Sequence, residues 1–355
     1  MSNTQQAKNL LKSAAANLLH YSGILRLIPS ANQQSWRILM YHRVIDPVEA
    51  GYPLQPGMYV TPESFAMQMH YLSKEARVIG INQLVEELQS GKEIPAKTVV
   101  LTFDDGWADN YTHAFPILKE LRLPASIYLA TSFIGTNRSY WSDSIAQALY
   151  LLSREPKHLQ TVCARLEESE IIDERAAACC VQFLRMTEPS ESPEAFDSLV
   201  ERIAALPYDE RMQTVNTILK LSKEFCVTPS QRSFLAWDEV AEMANAGITF
   251  GSHTHHHHPL VELSETRIKD EIEHSMLELR DHNIEATSVF CYPRGSFDDK
   301  TQQALHDKNI PYALTTTRES DFDAHPILLG RIGIHNDISH TLPLFCSRVW
   351  LTNVF

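Results

Sequence analysis

Two short segments of the chain carry side chains that could perform hydrolytic chemistry. The first is the stretch 102–106, Thr-Phe-Asp-Asp-Gly, which follows the apolar run 99–101. Neighbouring residues at the end of a strand point in different directions, so one of Asp104 and Asp105 can bind a metal ion while the other moves a proton. A simple turn is the alternative interpretation, because Asp and Gly are both common turn residues.

The second segment is the stretch 252–258, Ser-His-Thr-His-His-His-His, at a predicted junction between a strand and a helix. Neutral imidazole is the commonest nitrogen ligand of divalent ions, and a metal with three protein ligands and an open position is the usual design for activating water. His253 and His257 are spaced so that they could share one metal with Asp105. A set of solvated histidines without a metal is the alternative.

The elements that must position these residues alternate along the chain. Residues 36–42 predict a first core strand that ends in a polar residue, His42, and the stretch around residue 100 predicts another. Helical spacing of apolar residues follows at 63–72, 82–88 and 111–121, and short apolar runs stand at 78–81, 125–130 and 248–251. This alternation is typical of parallel β/α units.

The domain organisation changes at about residue 143. No glycine occurs between Gly135 and Gly247, and apolar residues recur there at helical spacing. We therefore predict a helical insertion at 143–234, whose role as a lid, an interaction surface or an elaboration packed on the side of a barrel stays open. The other predicted parts are an N-terminal helical arm at 1–36, a first barrel part at 37–142, and a second barrel part with a C-terminal tail at 235–355.

Composition restricts location and partners. The chain has 355 residues, is 44% hydrophobic and carries a formal net charge of -13, which argues against a nucleic-acid partner. Its six cysteines include no Cys-x-x-Cys pair, so they predict reduced thiols and a cytoplasmic location.

The N-terminal arm is too polar and interrupted for an export signal, and it predicts an amphipathic helix. Docking of this helix on its own protein is favoured over a peripheral membrane contact.

The two segments resemble motifs of the polysaccharide deacetylases with a NodB homology domain, also called carbohydrate esterase family 4. The resemblance implies that Asp104 is the catalytic base and that Asp105 binds the metal. The second segment is similar to the family's His-Ser/Thr-x-x-His motif, which implies that His253 and His257 are metal ligands. His258 is a rival for the second position, because a proline commonly follows that ligand in the family. We favour His257 from its distance to the downstream residues 260–264.

Residues 290–295, Phe-Cys-Tyr-Pro-Arg-Gly, are similar to the family's third motif, which lines the substrate groove and supplies a backbone N–H to the oxyanion. The resemblance therefore implies that Tyr292, Pro293 and Arg294 bind substrate. Cys291 stands where many members carry an arginine, and Arg294 stands where many carry an aromatic residue. The arginine that orients the catalytic base in the family can therefore not be assigned from the sequence.

The resemblance covers about residues 38 to 334, apart from the insertion, and implies an α/β fold, a distorted (β/α) barrel with its site at the carboxyl ends of the strands. It implies a hydrolase that removes N-acetyl groups from an amino-sugar-containing glycan, polysaccharide or glycolipid. The implied cofactor is a divalent ion, with zinc favoured and cobalt, nickel or manganese able to substitute. Two alternatives are an O-acetyl esterase and a catalytically silent glycan-binding member, the latter motivated by Cys291 and Arg294.

The general acid does not stand at the position that the family pattern implies. The family usually takes it from a Leu-x-His motif near the C-terminus, where His335 is the nearest candidate, but the residues after His335 predict a loop. The first strand instead delivers His42 at its carboxyl end, and the first and last strands of a closed barrel are neighbours. We therefore predict that His42 is the general acid or lines the site, in preference to capping the strand.

Overall fold

The computed structural model describes residues 3–22, 36–185, 193–225, 232–317 and 328–351, with the side chains of 3–11 and 193–194 excepted. The chain divides into two compact units. The first comprises residues 1–44, 60–136 and 234–355, and the second comprises 45–59 and 137–233. The second unit therefore starts a few residues before the predicted insertion and also takes in 45–59, a segment that the sequence assigned to the barrel.

Several strands end at or next to the predicted site residues. In chain order, the described residues form β1 (Trp36–Tyr41), β2 (Arg43–Val44), β3 (Tyr59–Val60), β4 (Arg77–Ile79), β5 (Thr98–Asp105), β6 (Ser126–Leu129), β7 (Thr249–Ser252), β8 (Val289–Cys291), β9 (Tyr312–Leu314), β10 (Leu328–Leu329) and β11 (Ile332–Gly333). The strand predicted at 36–42 is confirmed as β1, and those predicted near residues 100 and 250 are confirmed as β5 and β7.

Two parallel sheets make up the predicted distorted barrel. One has the order β11-β1-β5-β6-β7, with β4 also paired to β5, and the other has the order β10-β9-β8. A parallel bridge joins Phe250 of β7 to Ala286, just before β8, and β10 is separated from β11 by only two residues. The strands therefore follow one another around the unit, and their carboxyl ends meet at one face, where sites of such folds lie.

Strand β5 lies at the centre of the larger sheet. All eight of its residues are buried, as expected for a parallel strand covered on both faces. One edge pairs with β1 over its first six residues, while the other pairs with β4 at 98–100 and with β6 at 102–105. This enclosure fixes the direction of the two carboxylates at the end of β5.

Helices cover the strands and form the second unit. In chain order they are α1 (Asn3–Tyr21), α2 (Pro47–Ala50), α3 (Pro62–Glu75), α4 (Ile81–Gln89), α5 (Phe115–Leu121), α6 (Trp141–Ser153), α7 (Pro156–Glu167), α8 (Glu174–Leu184), α9 (Pro193–Ala204), α10 (Tyr208–Phe225), α11 (Trp237–Asn245), α12 (Glu265–Asp281), α13 (Asp299–Asp307), α14 (Asn336–Ser339) and α15 (Leu342–Trp350). A π-helical turn at Asn110–Ala114 precedes α5.

The N-terminal helix α1 contacts α15, as the interpretation of an arm docked on its own protein requires. Its Ala16 is completely buried, whereas Leu18 and Tyr21 are exposed. The rest of the predicted arm before Trp36, residues 1–2 and 23–35, lies outside the described residues. Among the helices that the structure describes, none is long and apolar enough to cross a bilayer.

Helices α6 to α10 of the second unit share a core of their own. Residues at helical spacing, such as Val162, Cys163 and Leu166 of α7, are buried in it. Pro156 and Pro193 each stand at the first position of a helix, where proline is favoured. The cysteines at 163, 179, 180, 291 and 346 are free thiols, and Cys226 lies outside the described residues.

Candidate active site

The two carboxylates of β5 separate at a sharp backbone turn. Asp105 and Gly106 both have left-handed backbone conformations, with φ of 78° and 82°. A Cβ atom at Gly106 would lie 2.6 Å from the side chain of Leu129, so the position requires glycine. Because the chain reverses here, Asp104 and Asp105 face different partners.

Asp105 faces two histidines. Its Oδ1 lies 3.5 Å from His253 Nε2 and 3.3 Å from His257 Nε2. Ligand atoms bound tetrahedrally at usual zinc distances are about 3.3 Å apart, so both distances from Asp105 suit a shared ion. The structure therefore brings the three predicted ligands together in a set that suits a divalent metal.

Hydrogen bonds orient the ligand atoms of His253 and Asp105 towards the common centre. His253 Nδ1 lies 2.8 Å from the carbonyl oxygen of Cys291, which can only accept, so Nδ1 carries the proton and Nε2 presents its lone pair. Trp107 Nε1 donates to Asp105 Oδ2 over 2.8 Å, leaving Oδ1 directed at the histidines. Partners of this kind orient metal ligands in known sites.

The protonation states also suit metal binding. Burial lowers the pKa of His253 to about 4 and that of His257 to about 3. Burial disfavours the charged imidazolium more strongly than the nearby Asp104 carboxylate favours it. Both rings are therefore neutral near pH 7, as ligands must be.

The backbone conformation distinguishes His257 from His258. Thr254 and His257 take left-handed conformations with φ of 68° and 60°. The amide of His257 donates to Thr254 Oγ1 over 2.9 Å, which closes a tight turn. This turn places His257, rather than His258, beside Asp105.

Asp104 forms a buried ion pair with Arg331, which lies just after β10. Arg331 Nη1 and Nη2 donate to Asp104 Oδ1 and Oδ2, each over 2.7 Å, and the side chains are almost completely buried. Arg331 Nε also donates to the carbonyl oxygen of Thr315 over 3.0 Å. The planar guanidinium is thereby fixed as a bidentate partner.

The charge of Arg331 determines the ionisation of Asp104. Burial raises the pKa of this carboxyl, but Arg331, with help from His253, outweighs burial and holds the pKa well below its usual range. Asp104 is therefore a carboxylate at neutral pH.

Arg331 is a residue of the candidate site that the sequence analysis missed. The position expected to hold the base-orienting arginine is Cys291, whose Sγ lies 3.5 Å from Asp104 Oδ1 and 3.3 Å from Arg331 Nη2. In the structure, the arginine that contacts Asp104 therefore comes from the end of a different strand. The sequence signal for Arg331 was an arginine beside an apolar run near a strand end. Many surface arginines have the same sequence surroundings, so this signal does not single out a site residue.

His42 lies at the carboxyl end of β1, on the same face as the metal ligands. Its Nε2 is 3.9 Å from Asp104 Oδ2, and its side chain is 16% exposed, so that it can meet a substrate. Asn110 Nδ2 donates to the His42 carbonyl oxygen over 2.8 Å. The structure thus brings His42 to the site, and its catalytic role stays a prediction.

The two residues after His42 form hydrogen bonds with the segment that follows β5. Asp109 accepts from Arg43 Nε and from the amide of Val44, both over 2.8 Å. The Arg43 guanidinium in turn lies 4.4 Å above the ring of Trp107. The backbone around His42 is thereby coupled to the turn that carries Asp104 and Asp105.

The third motif differs from its predicted arrangement. Tyr292 is fully buried, and its ring packs in a core cluster with Phe290, so its side chain does not line a groove. Its amide donates to the carbonyl oxygen of Leu314, so this N–H is not the oxyanion donor. Pro293 is buried as well, whereas Arg294 is exposed with φ of 57°. Only Arg294 of the three presents its side chain to solvent.

Comparison with known sequences decides the family. Residues 91–164 and 205–313, more than half of the chain, match the sequence model of the polysaccharide deacetylases. The chain belongs to the polysaccharide deacetylase family. The resemblance inferred from the motifs is therefore confirmed.

Relatives within the family match shorter stretches. The poly-beta-1,6-N-acetyl-D-glucosamine N-deacetylase of Escherichia coli K12 is 49% identical over 58 residues, which are 16% of this chain and 9% of that protein. The protein of the same name from Staphylococcus epidermidis is 32% identical over 107 residues, 28% of this chain and 37% of that protein. The matches thus span well under half the length of these relatives.

Solved structures share the fold over most of the chain. The Streptococcus pyogenes deacetylase PplD in complex with acetate aligns with a TM-score of 0.52 at 19% identity, covering 86% of this chain and 94% of that one. IcaB from Ammonifex degensii also gives a TM-score of 0.52, at 18% identity, covering 88% of this chain and 97% of that one. The predicted deacetylase-type α/β fold is therefore confirmed.

Replacing His257 is expected to remove tightly bound metal. A His257→Ala variant loses one of the three predicted ligands, so it should retain little metal after desalting, as measured by elemental analysis. His258→Ala is the matched control and should retain about as much tightly bound metal as the parent. Loss confined to the His258 variant would show that the neighbouring histidine is the ligand.

The low pKa values of the two histidines predict an acid-sensitive metal-free protein. In the unfolded chain the histidine pKa is about 6.5, whereas in the folded protein the pKa of His253 is about 4. Between these two pH values, His253 is therefore protonated in the unfolded state but neutral in the folded state. The free energy of unfolding should therefore fall as the pH falls through this range. His253→Gln should flatten the dependence in urea titrations of chelator-treated protein.

The exposed His306 provides the control for this measurement. His306→Gln should leave the slope of unfolding free energy against pH unchanged. Equal slopes in the parent and the His253 variant would contradict the prediction.

Proposed function

We propose that this protein is a metal-dependent hydrolase that removes N-acetyl groups from an amino-sugar-containing polysaccharide. The observation that carries the proposal is that the two adjacent carboxylates have different partners at one face of the barrel. Asp105 joins two neutral histidines, while Asp104 is held apart as a carboxylate by Arg331 and lies next to His42. A glycan-binding module would need neither the separation of the two carboxylates nor the buried arginine.

Asp105, His253 and His257 are the residues that would hold the ion. A divalent ion of the zinc class supplies Lewis-acid polarisation of the acetyl carbonyl and activation of water in sites of this kind. The ligand set of two imidazoles and one carboxylate favours zinc, and it also accepts cobalt, nickel and manganese. Trp107 and the carbonyl oxygen of Cys291 keep the ligand atoms in place while substrate binds.

Asp104 takes the proton of the attacking water. The low pKa of the Asp104 carboxyl makes the carboxylate a weak base. Its main contribution is therefore to provide a proton acceptor that is fixed in position and ionised in every enzyme molecule. Arg331 is a positioning residue, because it holds the carboxylate in one orientation and contacts no reacting atom. The proton of the water therefore moves to a carboxylate oxygen of Asp104 whose position is already fixed before the substrate binds.

His42 donates a proton to the leaving amine. An amide nitrogen leaves as an amine only after it gains a proton, and imidazole can hold and deliver one near neutral pH. The His42 ring is close to Asp104 and partly exposed, so the leaving nitrogen of a substrate bound in front of them could receive its proton from His42. This need for an acid favours N-deacetylation over ester hydrolysis.

The proposed substrate class is a polymer of β-linked N-acetylglucosamine. Support comes from relatives in two genera that are named poly-beta-1,6-N-acetyl-D-glucosamine N-deacetylases. The exposed Arg294 beside the site could donate hydrogen bonds to sugar hydroxyl groups. A neutral polymer also suits an acidic protein better than an anionic one does.

Acetate release from a defined panel of glycans tests the proposal. The panel comprises β-1,6-linked and β-1,4-linked N-acetylglucosamine oligomers and an O-acetylated xylan oligomer, each with and without a chelator. We expect release from an N-acetylated oligomer, its loss with the chelator and its return with added zinc. Release from the xylan alone would favour the esterase, and no metal-dependent release from any glycan would favour a binding protein.

A His42→Gln variant is expected to lose activity in a substrate-dependent way. Loss of a general acid costs typically a hundred- to ten-thousand-fold, so kcat on N-acetyl substrates should fall by about that much. An aryl acetate should be affected far less, because its phenolate leaves without a proton. His70→Gln, at an exposed position outside the site, is the control. Equal losses on both substrates would contradict an acid role.

A further inference from the structure

A second group of possible metal ligands lies next to the one described above. One ligand atom each of His256, His258 and Glu271 lies within 4.8 Å of those of the other two. None of these residues belongs to the set of Asp105, His253 and His257. The group joins the loop after β7 to helix α12, so it is built from two separate parts of the chain.

The conformation of the loop explains why adjacent histidines form two groups. The left-handed turn at His257 directs its imidazole to Asp105. The rings of His256 and His258 instead stack on each other, with centroids 5.7 Å apart and planes inclined by 27°. The run of histidines is thus divided between two sites by one backbone turn.

Glu271 is held in a fixed orientation for this group. Its side chain is only 7% exposed, and its Oε2 accepts from the amides of His255 and His256 over 3.0 and 2.7 Å. Its Oε1 lies 2.7 Å from His256 Nδ1. A carboxylate that is fixed by backbone donors on one oxygen presents the other oxygen at a defined point, which lowers the cost of binding an ion there.

Access and chemistry suit a divalent ion of the zinc class. The His256 side chain is 39% exposed, so an ion can reach the group from solvent. Two imidazoles and one carboxylate are ligands typical of zinc, cobalt, nickel and copper, whereas magnesium and calcium prefer oxygen ligands alone. Solvent would complete the coordination.

We propose that His256, His258 and Glu271 form a second divalent-metal site that is separate from the site at Asp105. Its affinity is lower, because a bound ion must replace the contact between His256 and Glu271 and stays open to water. The proposal does not depend on the deacetylase reaction. Its ion would connect the loop that supplies His253 and His257 to helix α12.

Zinc titration of chelator-stripped full-length protein tests this proposal, with stoichiometry read by calorimetry and by equilibrium dialysis. The parent should bind two zinc ions in two affinity classes. His256→Gln and His258→Gln should each remove the weaker class and keep the tighter one. His257→Gln should remove the tighter class and keep the weaker one.

His274→Gln is the matched control, because His274 is exposed on α12, has its ring 5.7 Å from that of His255 and lies outside the group. It should bind two ions, as the parent does. Circular dichroism and thermal unfolding of the metal-free variants should match those of the parent, which separates ligand loss from misfolding. A single zinc ion in the parent, or two ions in correctly folded His256 and His258 variants, would overturn the proposal.

Discussion

Replacing Asp104 by Asn should abolish turnover while leaving the metal bound. The substitution keeps the size of the side chain and leaves Asp105, His253 and His257 untouched, but it removes the proton acceptor. Loss of a general base costs typically a hundred- to ten-thousand-fold, and we expect kcat to fall toward the upper end of that range. Acetate release and elemental analysis of the same desalted sample measure both effects.

Asp105→Asn is the matched control for this variant. It changes the neighbouring carboxylate in the same way, yet it should lose tightly bound metal together with activity, because Oδ1 of Asp105 faces both histidines. The two variants thus separate a proton acceptor from a ligand. If the Asp104 variant lost metal and the Asp105 variant kept it, the roles of the two carboxylates would be exchanged.

Replacing Arg331 by Met should impair both stability and activity. Asp104 would remain buried without its partner, and breaking a buried ion pair by removing one member costs about 3–5 kcal/mol. Burial would then raise the pKa of Asp104, since the charge that now lowers it would be gone. The acidic limb of the pH profile of kcat/KM should therefore move to higher pH.

Two further variants keep this prediction testable if Arg331→Met folds poorly. Arg331→Lys retains the positive charge but not the bidentate geometry, so it should restore part of the stability and keep the acidic limb lower than the Met variant does. Arg77→Met breaks the partly exposed ion pair with Glu87 far from the site and should change activity little. An unshifted acidic limb in folded Arg331 variants would refute the assigned role.

Local patterns predicted much of the barrel. The apolar run that ends in Asp104 and Asp105 became the central strand β5, and the stretch that ends in His42 became β1. Such patterns are informative because a parallel strand buried on both faces must be apolar, while its carboxyl end is free to carry polar residues. The glycine-free stretch, with its apolar residues at helical spacing, likewise indicated helices.

The boundary of the helical unit was less predictable. Residues 45–59 belong to the second unit although they precede β5 by almost forty residues. The segment has no composition that distinguishes it from an ordinary loop of the barrel. Its assignment depends on which residues it contacts after folding, and this information is not local in the sequence.

The local spacing of the motifs indicated a metal site but left the register of the histidines open. His257 and His258 differ by one position, and both precede residues that fit the family pattern. The choice depends on left-handed conformations at Thr254 and His257, which are unusual for residues other than glycine. Only the folded backbone shows that the chain adopts them.

The sequence by itself determined which strand ends carry reactive groups and that Asp105, His253 and His257 could share an ion. Only the tertiary structure showed that Arg331 orients Asp104 and that the ring of Tyr292 lies in the core. Asp104 and Arg331 are separated by 227 positions, and no spacing rule connects them. They meet because β1 pairs with β5 on one side and with β11 on the other, which brings the end of the chain beside its middle. Side-chain partners across such a barrel are set by strand order and register, and these follow from the packing of the whole unit.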